Sequence, residues 1–266
     1  MTEYEAIFRR KSIRSYSSEK LEQVDQIVPW FYEVPMKFCQ MEFEPIVVVN
    51  EKHMAEKKIF RGMVSKVAHV GAPYYIIFRC EKKKDYLIQT GYMVERVVLK
   101  LTASGAATCW IGALFHTNTI DEMYENQRHL ENAILVAVGK PLSPLALFRN
   151  DNRINAKRKI PEEICLTPVP DWFQPLLEAA RVAPSSMNSQ PWRFFAGRDS
   201  VDVYLREETR PILGAKLKNL NQIDIGIALA HIDIAAEANH ISIEMLKKEE
   251  PAQILGHSYI MTIKRS

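Results

Sequence analysis

Ala183-Pro184-Ser185-Ser186-Met187-Asn188-Ser189-Gln190-Pro191-Trp192 is the stretch on which the reading of this chain turns. Proline fixes φ and lacks an N–H. A segment bounded by Pro184 and Pro191 therefore reads as a stiff turn, not as a continuing helix or strand. Ser185, Ser186 and Asn188 place donors and acceptors close together within it, and Trp192 follows directly. The competing reading is a helix C-terminus followed by a loop. A purely structural connection could be shorter and would tolerate almost any side chain, so the density of polar groups favours a wall for a ligand rich in heteroatoms.

The counterpart lies at the other end of the chain, in Arg10-Lys11-Ser12-Ile13-Arg14. In an extended conformation alternate residues point to one side, which would aim Arg10, Ser12 and Arg14 at one point. Forked guanidinium donors plus a hydroxyl suit a phosphate monoester. The same residues also read as a solvated helix end with a following turn, and spacing alone does not separate the two. Arg158 and Lys159, in Ala156-Lys157-Arg158-Lys159-Ile160-Pro161, are surface charge on the simplest reading. They become part of a clamp only if the chain returns to the first cluster. Trp110-Ile111-Gly112 ends a strand, and a glycine there permits close backbone approach to a flat ligand.

Working outward, 266 residues suffice for a substantial core in one large domain or two small ones. A net charge of +3 suits an anionic small molecule better than a nucleic-acid surface, which shows a concentrated basic stripe. Lys57-Lys58 and Lys82-Lys83-Lys84 read as solvated ends. Cys39, Cys80, Cys109 and Cys165 are scattered without metal-binding spacing, so no metal is expected. No apolar run reaches the roughly 20 residues of a membrane span. With early charges and no apolar leader, a cytoplasmic protein is expected.

The hydrophobic pattern predicts a helix capped by Thr2 and Glu5, a second over Glu19 to Phe31 opened by Ser17-Ser18, strands at Pro45–Val49 and Ala72–Phe78, and a long apolar helix over Tyr86 to Ala103 stopped at Gly105. A strand at Thr108–Ile111, a short helix near Ile120–Tyr124 and a strand at Ala133–Gly139 follow. The proline-rich stretch 141–170 reads as an extended crossing segment. The grammar then repeats: a helix over Asp171–Val182, strands at Trp192–Ala196 and Val201–Leu205, a long apolar helix over Asn221–Ala238 and a strand over Ser258–Lys264. The expected fold class is α+β, with two pseudo-symmetric half-units, 1–165 and 166–266, and two long central helices. Glu95 is expected to pair with Arg96, and His231 and His240 to serve the core or surface. The common nucleophile-elbow, P-loop, dinucleotide and zinc-protease motifs are absent.

These residues carry a resemblance. Arg10–Tyr16, Gly105–Gly112, Arg158–Glu163 and above all A-P-S-x-x-N-x-Q-P-W at 183–192 resemble the nitroreductase family of FMN enzymes, and within it the single-chain tandem, TM-nitroreductase-like subgroup. The resemblance implies an oxidoreductase that passes hydride from NAD(P)H through FMN to a nitro, quinone or similar small-molecule acceptor. It implies that Arg10, Lys11, Ser12, Arg14, Arg158 and Lys159 hold the phosphate and ribityl end. Pro184, Ser185, Ser186 and Asn188 would contact the flavin from the opposite half, with Ile111 and Gly112 beside the reactive ring edge. In ordinary members the polar turn lies soon after the basic cluster and the flavin sits at a homodimer interface. Here Pro29–Met36 stands in that early place without the serines and asparagine. One pocket per chain is therefore expected, the second half standing in for a partner subunit, with the chain monomeric. The family carries a polar or acidic residue where Ile111 stands, so a non-enzymatic FMN-binding scaffold or sensor remains the alternative.

Overall fold

The computed structural model describes residues 1–51, 59, 70–112, 117–148, 157–207 and 214–266. The expectation for Lys57-Lys58 lies outside these. The chain forms two compact units, one of Met1–Tyr86 with Arg96–Asp151 and one of Leu87–Glu95 with Asn152–Ser266. Residues 157–165 group with the second unit, for reasons set by the hydrogen bonds of residues 157–159 described below.

The first unit is built on an antiparallel sheet of β1 (Phe43–Val49), β2 (Tyr74–Cys80), β3 (Ala107–Ile111) and β4 (Glu131–Gly139), in the order β1-β2-β4-β3. Every residue of β2 is buried, which is why its sequence runs apolar without alternation from Tyr74 to Phe78. Tyr75 and Ile77 face Val48, Cys109, Ile111, Leu135 and Ala137 in one core. Arg79, also on β2, is fully buried yet satisfied. It donates to Asn132 Oδ1 at 2.9 Å, to the Tyr124 carbonyl at 2.6 Å and to Asp121 at 3.2 Å, tying the sheet to the end of a short helix at Thr117–Met123.

Helix α1 (Glu3–Arg9) carries the expected capping box: Glu5 N–H donates to Thr2 Oγ1 at 3.1 Å and Thr2 N–H to the Glu5 carboxylate at 2.8 Å. The helix expected from Glu19 does not form. Ser17 Oγ accepts the Glu19 N–H at 3.2 Å, but regular α-helix begins only at α2 (Ile27–Glu33), after a 3₁₀ turn at Val24–Gln26. Pro29 explains the late start. In the first turn of α2 its missing N–H is not needed, whereas a helix begun at Glu19 would place it in the interior. The long helix α3 (Tyr86–Ala103) has the expected limits. Gly105, at φ +93°, turns the chain so that Ala106 N–H reaches the Leu101 carbonyl at 2.9 Å.

The second unit repeats the sheet order with β5 (Trp192–Ala196), β6 (Ser200–Arg206), β7 (Ile243–Leu246) and β8 (His257–Arg265), antiparallel as β5-β6-β8-β7. Strand β7 escapes a sequence reading because it is a four-residue edge strand with little burial. Its companion helices are a single turn at Pro161–Ile164, then a helix at Gln174–Arg181, and a long one, here α7 (with the helices at 117–123, 161–164 and 174–181 as α4, α5 and α6), over Gly214–Ala238.

Within this unit residues 87–95 of α3 cross α7 with backbones in contact. A Cβ on Gly91 would lie 2.0 Å from the Ile223 carbonyl oxygen, and one on Gly226 would lie 2.0 Å from that of Ile88. Each glycine thus meets the residue three positions before the other. Such close approach brings polar side chains into register. Tyr92 Oη donates to Asp233 at 2.6 Å, and Glu95 meets His231 Nε2 at 3.0 Å with both side chains fully buried. Glu95 thus has a partner across the helix crossing.

Candidate functional site

In the first unit the basic cluster begins where α1 ends. Arg10 caps the helix in extended conformation and bridges Phe148, and Ile13 N–H donates to the Thr108 carbonyl at 2.9 Å. Ile13 is buried against Ala107 and Leu147, which pins the segment to the sheet. Arg10 turns inward, only 2% exposed, while Ser12 and Arg14 are exposed and Lys11 is half-buried. The expected one-sided display is thus a buried guanidinium flanked by exposed groups. Burial holds the Cys109 thiol above its ordinary range, against the opposing pull of Arg14, Arg10 and a hydrogen bond with Ser12. A thiol so placed is a poor nucleophile.

Arg10 Nε and Nη2 are buried and, among the described residues, have no hydrogen-bond partner. Leaving a buried charge unpaired costs several kcal/mol, on the order of 3–5 by mutational experience, and natural proteins rarely tolerate it. An anion beside Arg10 would remove the cost, so the residues present fit a phosphate. Ile111 and Gly112 lie in the same unit. The Ile111 side chain belongs to the core beneath the sheet, so what it can offer a ligand is backbone.

In the second unit the polar turn follows α6. Met187, Asn188 and Gln190 all take left-handed backbone at φ 51°, 55° and 47°, a conformation costing roughly 1–3 kcal/mol per non-glycine residue and held only where surroundings over-determine it. Those surroundings are visible. Gln190 N–H donates to Ser185 Oγ at 3.0 Å. Arg158 donates to Asn188 Oδ1 and, at 3.3 Å, to the Val182 carbonyl. Asn188 Nδ2 returns to the Lys157 carbonyl at 2.8 Å, and Lys159 N–H donates to Gln190 Oε1 at 2.8 Å. The basic run 157–159 is strapped to the turn, which is why it groups with the second unit. Pro184 is buried, Ser185 and Ser186 are half-buried, and Asn188 is exposed with both ends of its amide engaged.

Sequence reading missed the residue that fastens the turn from below. Asp224 on α7 is fully buried and accepts the Ser186 N–H at 3.0 and 3.1 Å, with Ser189 Oγ at 3.4 Å. Burial pushes its carboxyl up to about 8, against the opposing pull of Ser186 and Ser189. Ser189 Oγ also meets Asn221 Oδ1 at 3.4 Å. The signal available was Asp224 set between Ile223 and Ile225 in the apolar stretch of the helix.

A cavity of about 510 Å³ in the first unit, bordered by Leu21, Gly105, Lys140, Leu142 and Phe148, contains none of the expected site residues. Among the described residues no His, Cys, Asp and Glu group could hold a metal, and no helix is long and apolar enough to cross a membrane. The arrangement offers anion-binding and polar recognition and, among the described residues, no assembled nucleophile–base pair.

A family model described as "Putative TM nitroreductase" matches residues 2–236. No curated protein matches the chain in sequence. Among solved structures, a Thermotoga maritima protein described as a "putative nitroreductase" superposes with a TM-score of 0.62 at 20% identity, covering 100% of this chain and 93% of that one. A nitroreductase family protein of Clostridium difficile gives 0.47 at 19%, covering 64% and 100%, and a nitroreductase with bound FMN from Desulfitobacterium hafniense gives 0.43 at 18%, covering 54% and 91%. The first establishes a shared fold over the whole chain, and with the match over residues 2–236 it shows that this chain belongs to the TM nitroreductase family.

Proposed function

We propose that the chain is an FMN-dependent oxidoreductase of the nitroreductase type, taking hydride from NAD(P)H and reducing a nitro, quinone or similar acceptor. The observation that carries this reading is the buried guanidinium of Arg10, whose Nε and Nη2 await an anion. FMN, when bound, supplies the redox chemistry, accepting and releasing hydride. Arg10 would neutralise the phosphate, with Lys11, Ser12 and Arg14 adding exposed donors and Arg158 and Lys159 further positive charge. Ser185, Ser186 and the backbone of the turn would supply polar contacts, with Pro184 stiffening it. Ile111 and Gly112 would present backbone at the ring edge. The amide of Asn188, already bonded to Arg158 and Lys157, would orient the turn more than it reads the ring.

The repeated strand order supports reading the two units as counterparts of the two subunits of the usual dimer, in a chain that works as a monomer in the cytoplasm. The test is the absorption spectrum of freshly purified protein, followed by anaerobic NADH and NADPH. The reading requires a yellow protein that bleaches and then recovers colour on addition of a nitroaromatic or quinone. A flavin that stays oxidised under excess nicotinamide removes the reductase assignment and leaves a flavin-binding scaffold. A protein that cannot be loaded with FMN removes both.

A further inference from the structure

Three basic residues of the second unit, far apart in sequence, hang from one corner of the chain, Gln190-Pro191. Lys159 N–H donates to Gln190 Oε1 at 2.8 Å. Arg193 Nη1 donates to the Gln190 and Trp192 carbonyls at 2.9 and 2.6 Å. Arg206 N–H donates to the Pro191 carbonyl at 2.9 Å. The corner is rigid, since Gln190 sits at φ 47° and β5 and β6 pair from Trp192↔Leu205 onward. The three differ in depth: Arg193 is 5% exposed, Lys159 is half-buried and Arg206 is exposed.

Their charges are poorly compensated. Among the described residues, Lys159 Nζ and the Arg206 guanidinium make no hydrogen bond or ion pair, and of Arg193 only Nη1 is engaged. Glu163 acts on Lys159 and Arg193, but only from beyond ion-pair distance, while its carboxylate accepts the Ile160 N–H at 3.1 Å. Burial and then the neighbouring Arg193 and Arg206 hold the Lys159 amine below its ordinary range. Burial and then Arg206 push Arg193 down to about 10. Cations gathered this way repel one another unless an anion joins them. A carboxylate would leave most of that charge unmatched. A phosphate matches it better, because guanidinium forks and a point-charge ammonium together suit its oxygens.

We propose that Lys159, Arg193 and Arg206 form an anion site for a phosphate group of the reaction's own ligands, supplied either by the flavin or by the nicotinamide co-substrate. The site is assembled from a loop and two strands, so no local motif announces it. The identity of the ligand rests on the proposed function; the existence of the site does not.

The primary experiment therefore uses flavin-free full-length protein titrated with inorganic pyrophosphate, comparing the native chain with Lys159→Gln and Arg206→Gln. Arg193→Lys is the third variant, because it keeps a donor near the Gln190 carbonyl if Arg193→Gln fails to fold. Each exposed-end variant is expected to weaken pyrophosphate binding about tenfold, the scale of one lost charged hydrogen bond, and native binding is expected to weaken with added salt. Undiminished affinity in both variants overturns the site. Two further arms identify the source. Weaker FMN with unchanged riboflavin binding assigns the flavin phosphate. Unchanged FMN binding with slower reduction at sub-saturating NADPH or NADH assigns the co-substrate, and a loss confined to NADPH points to its additional phosphate. Pyrophosphate binding that falls while neither FMN binding nor nicotinamide reduction moves overturns the assignment to these ligands.

Discussion

Replacing Asp224 by asparagine should remove a pH dependence from the stability of this protein while leaving the polar turn in place. A carboxyl moved by burial from 3.8 to about 8 is mostly protonated at neutral pH. In that form one oxygen accepts the Ser186 N–H, and the hydroxyl can donate to Ser189 Oγ, which passes its own proton towards Asn221 Oδ1. The amide introduced by Asp224→Asn reproduces this pattern, its oxygen accepting from Ser186 and its nitrogen donating to Ser189. The sign follows from linkage. The folded state holds the proton more tightly than the unfolded chain, so the stabilisation is complete below pH 4. It declines as pH rises and is exhausted above about 8. A displacement of about 4 pH units at ~1.36 kcal/mol per unit makes the whole effect on the order of 6 kcal/mol. Within a practical window, the native protein should lose on the order of 3 kcal/mol relative to Asp224→Asn between pH 5 and pH 7. The assay is urea unfolding of flavin-free protein at each pH, read as the difference between the two proteins so that other titrating groups cancel. Parallel stability profiles across that range would refute the reasoning, since they would mean that Asp224 is ionised in the fold or open to water.

Other expectations are more compact. Arg10→Met removes a buried guanidinium with two unsatisfied nitrogens. The flavin-free protein should keep or gain stability while FMN affinity falls more than tenfold, given about 1.5–3 kcal/mol for each charged hydrogen bond lost; calorimetry and flavin fluorescence read the two effects separately. Arg14→Ala should also weaken FMN at least tenfold by fluorescence titration, without the gain in stability, because Arg14 is exposed. Gly91→Ala and Gly226→Ala each place a methyl 2.0 Å from a carbonyl oxygen, where no less than 3.0 Å is tolerated. Each should cost about 1–3 kcal/mol or more in denaturant unfolding, and the double variant should cost less than the sum because one helix separation relieves both clashes. His231 Nδ1 faces the Ala179 carbonyl at 2.9 Å and must carry a proton there. Glu95→Gln can then donate to a neutral Nε2 and should be mild, whereas Glu95→Ala should cost about 3–5 kcal/mol; equal effects would show that the buried pair is not hydrogen-bonded as drawn.

What could be read from the sequence, and what could not, follows the range of the interactions. Helix α3 was legible to the residue because its limits are local: an apolar period within, and Gly105 free to take φ +93° just beyond. Helix α2 was misjudged because Pro29 fits a first turn or breaks an interior, and the hydrophobic spacing of Leu21, Val24 and Ile27 is the same in both cases. The site residues divide the same way. Arg10–Arg14 and Ala183–Trp192 are contiguous and could be named from the chain. The partners of Glu95 and the floor beneath Ser186 are set by where α3 and α7 cross, and a crossing is written only in Gly91 and Gly226, two glycines whose meaning needs the partner helix. Counted from those glycines, Asp224 and Gln89 occupy the same position, two residues before, and both are buried polar side chains in apolar helices. Asp224 fastens a serine-rich turn through Ser186 and Ser189. The two units share a sheet order, while the crossing of α3 with α7 belongs to the second. A carboxyl that burial pushes up beneath one turn is a chemical commitment that the sheet order does not require, which is why its titration is the sharpest test of how that turn is held.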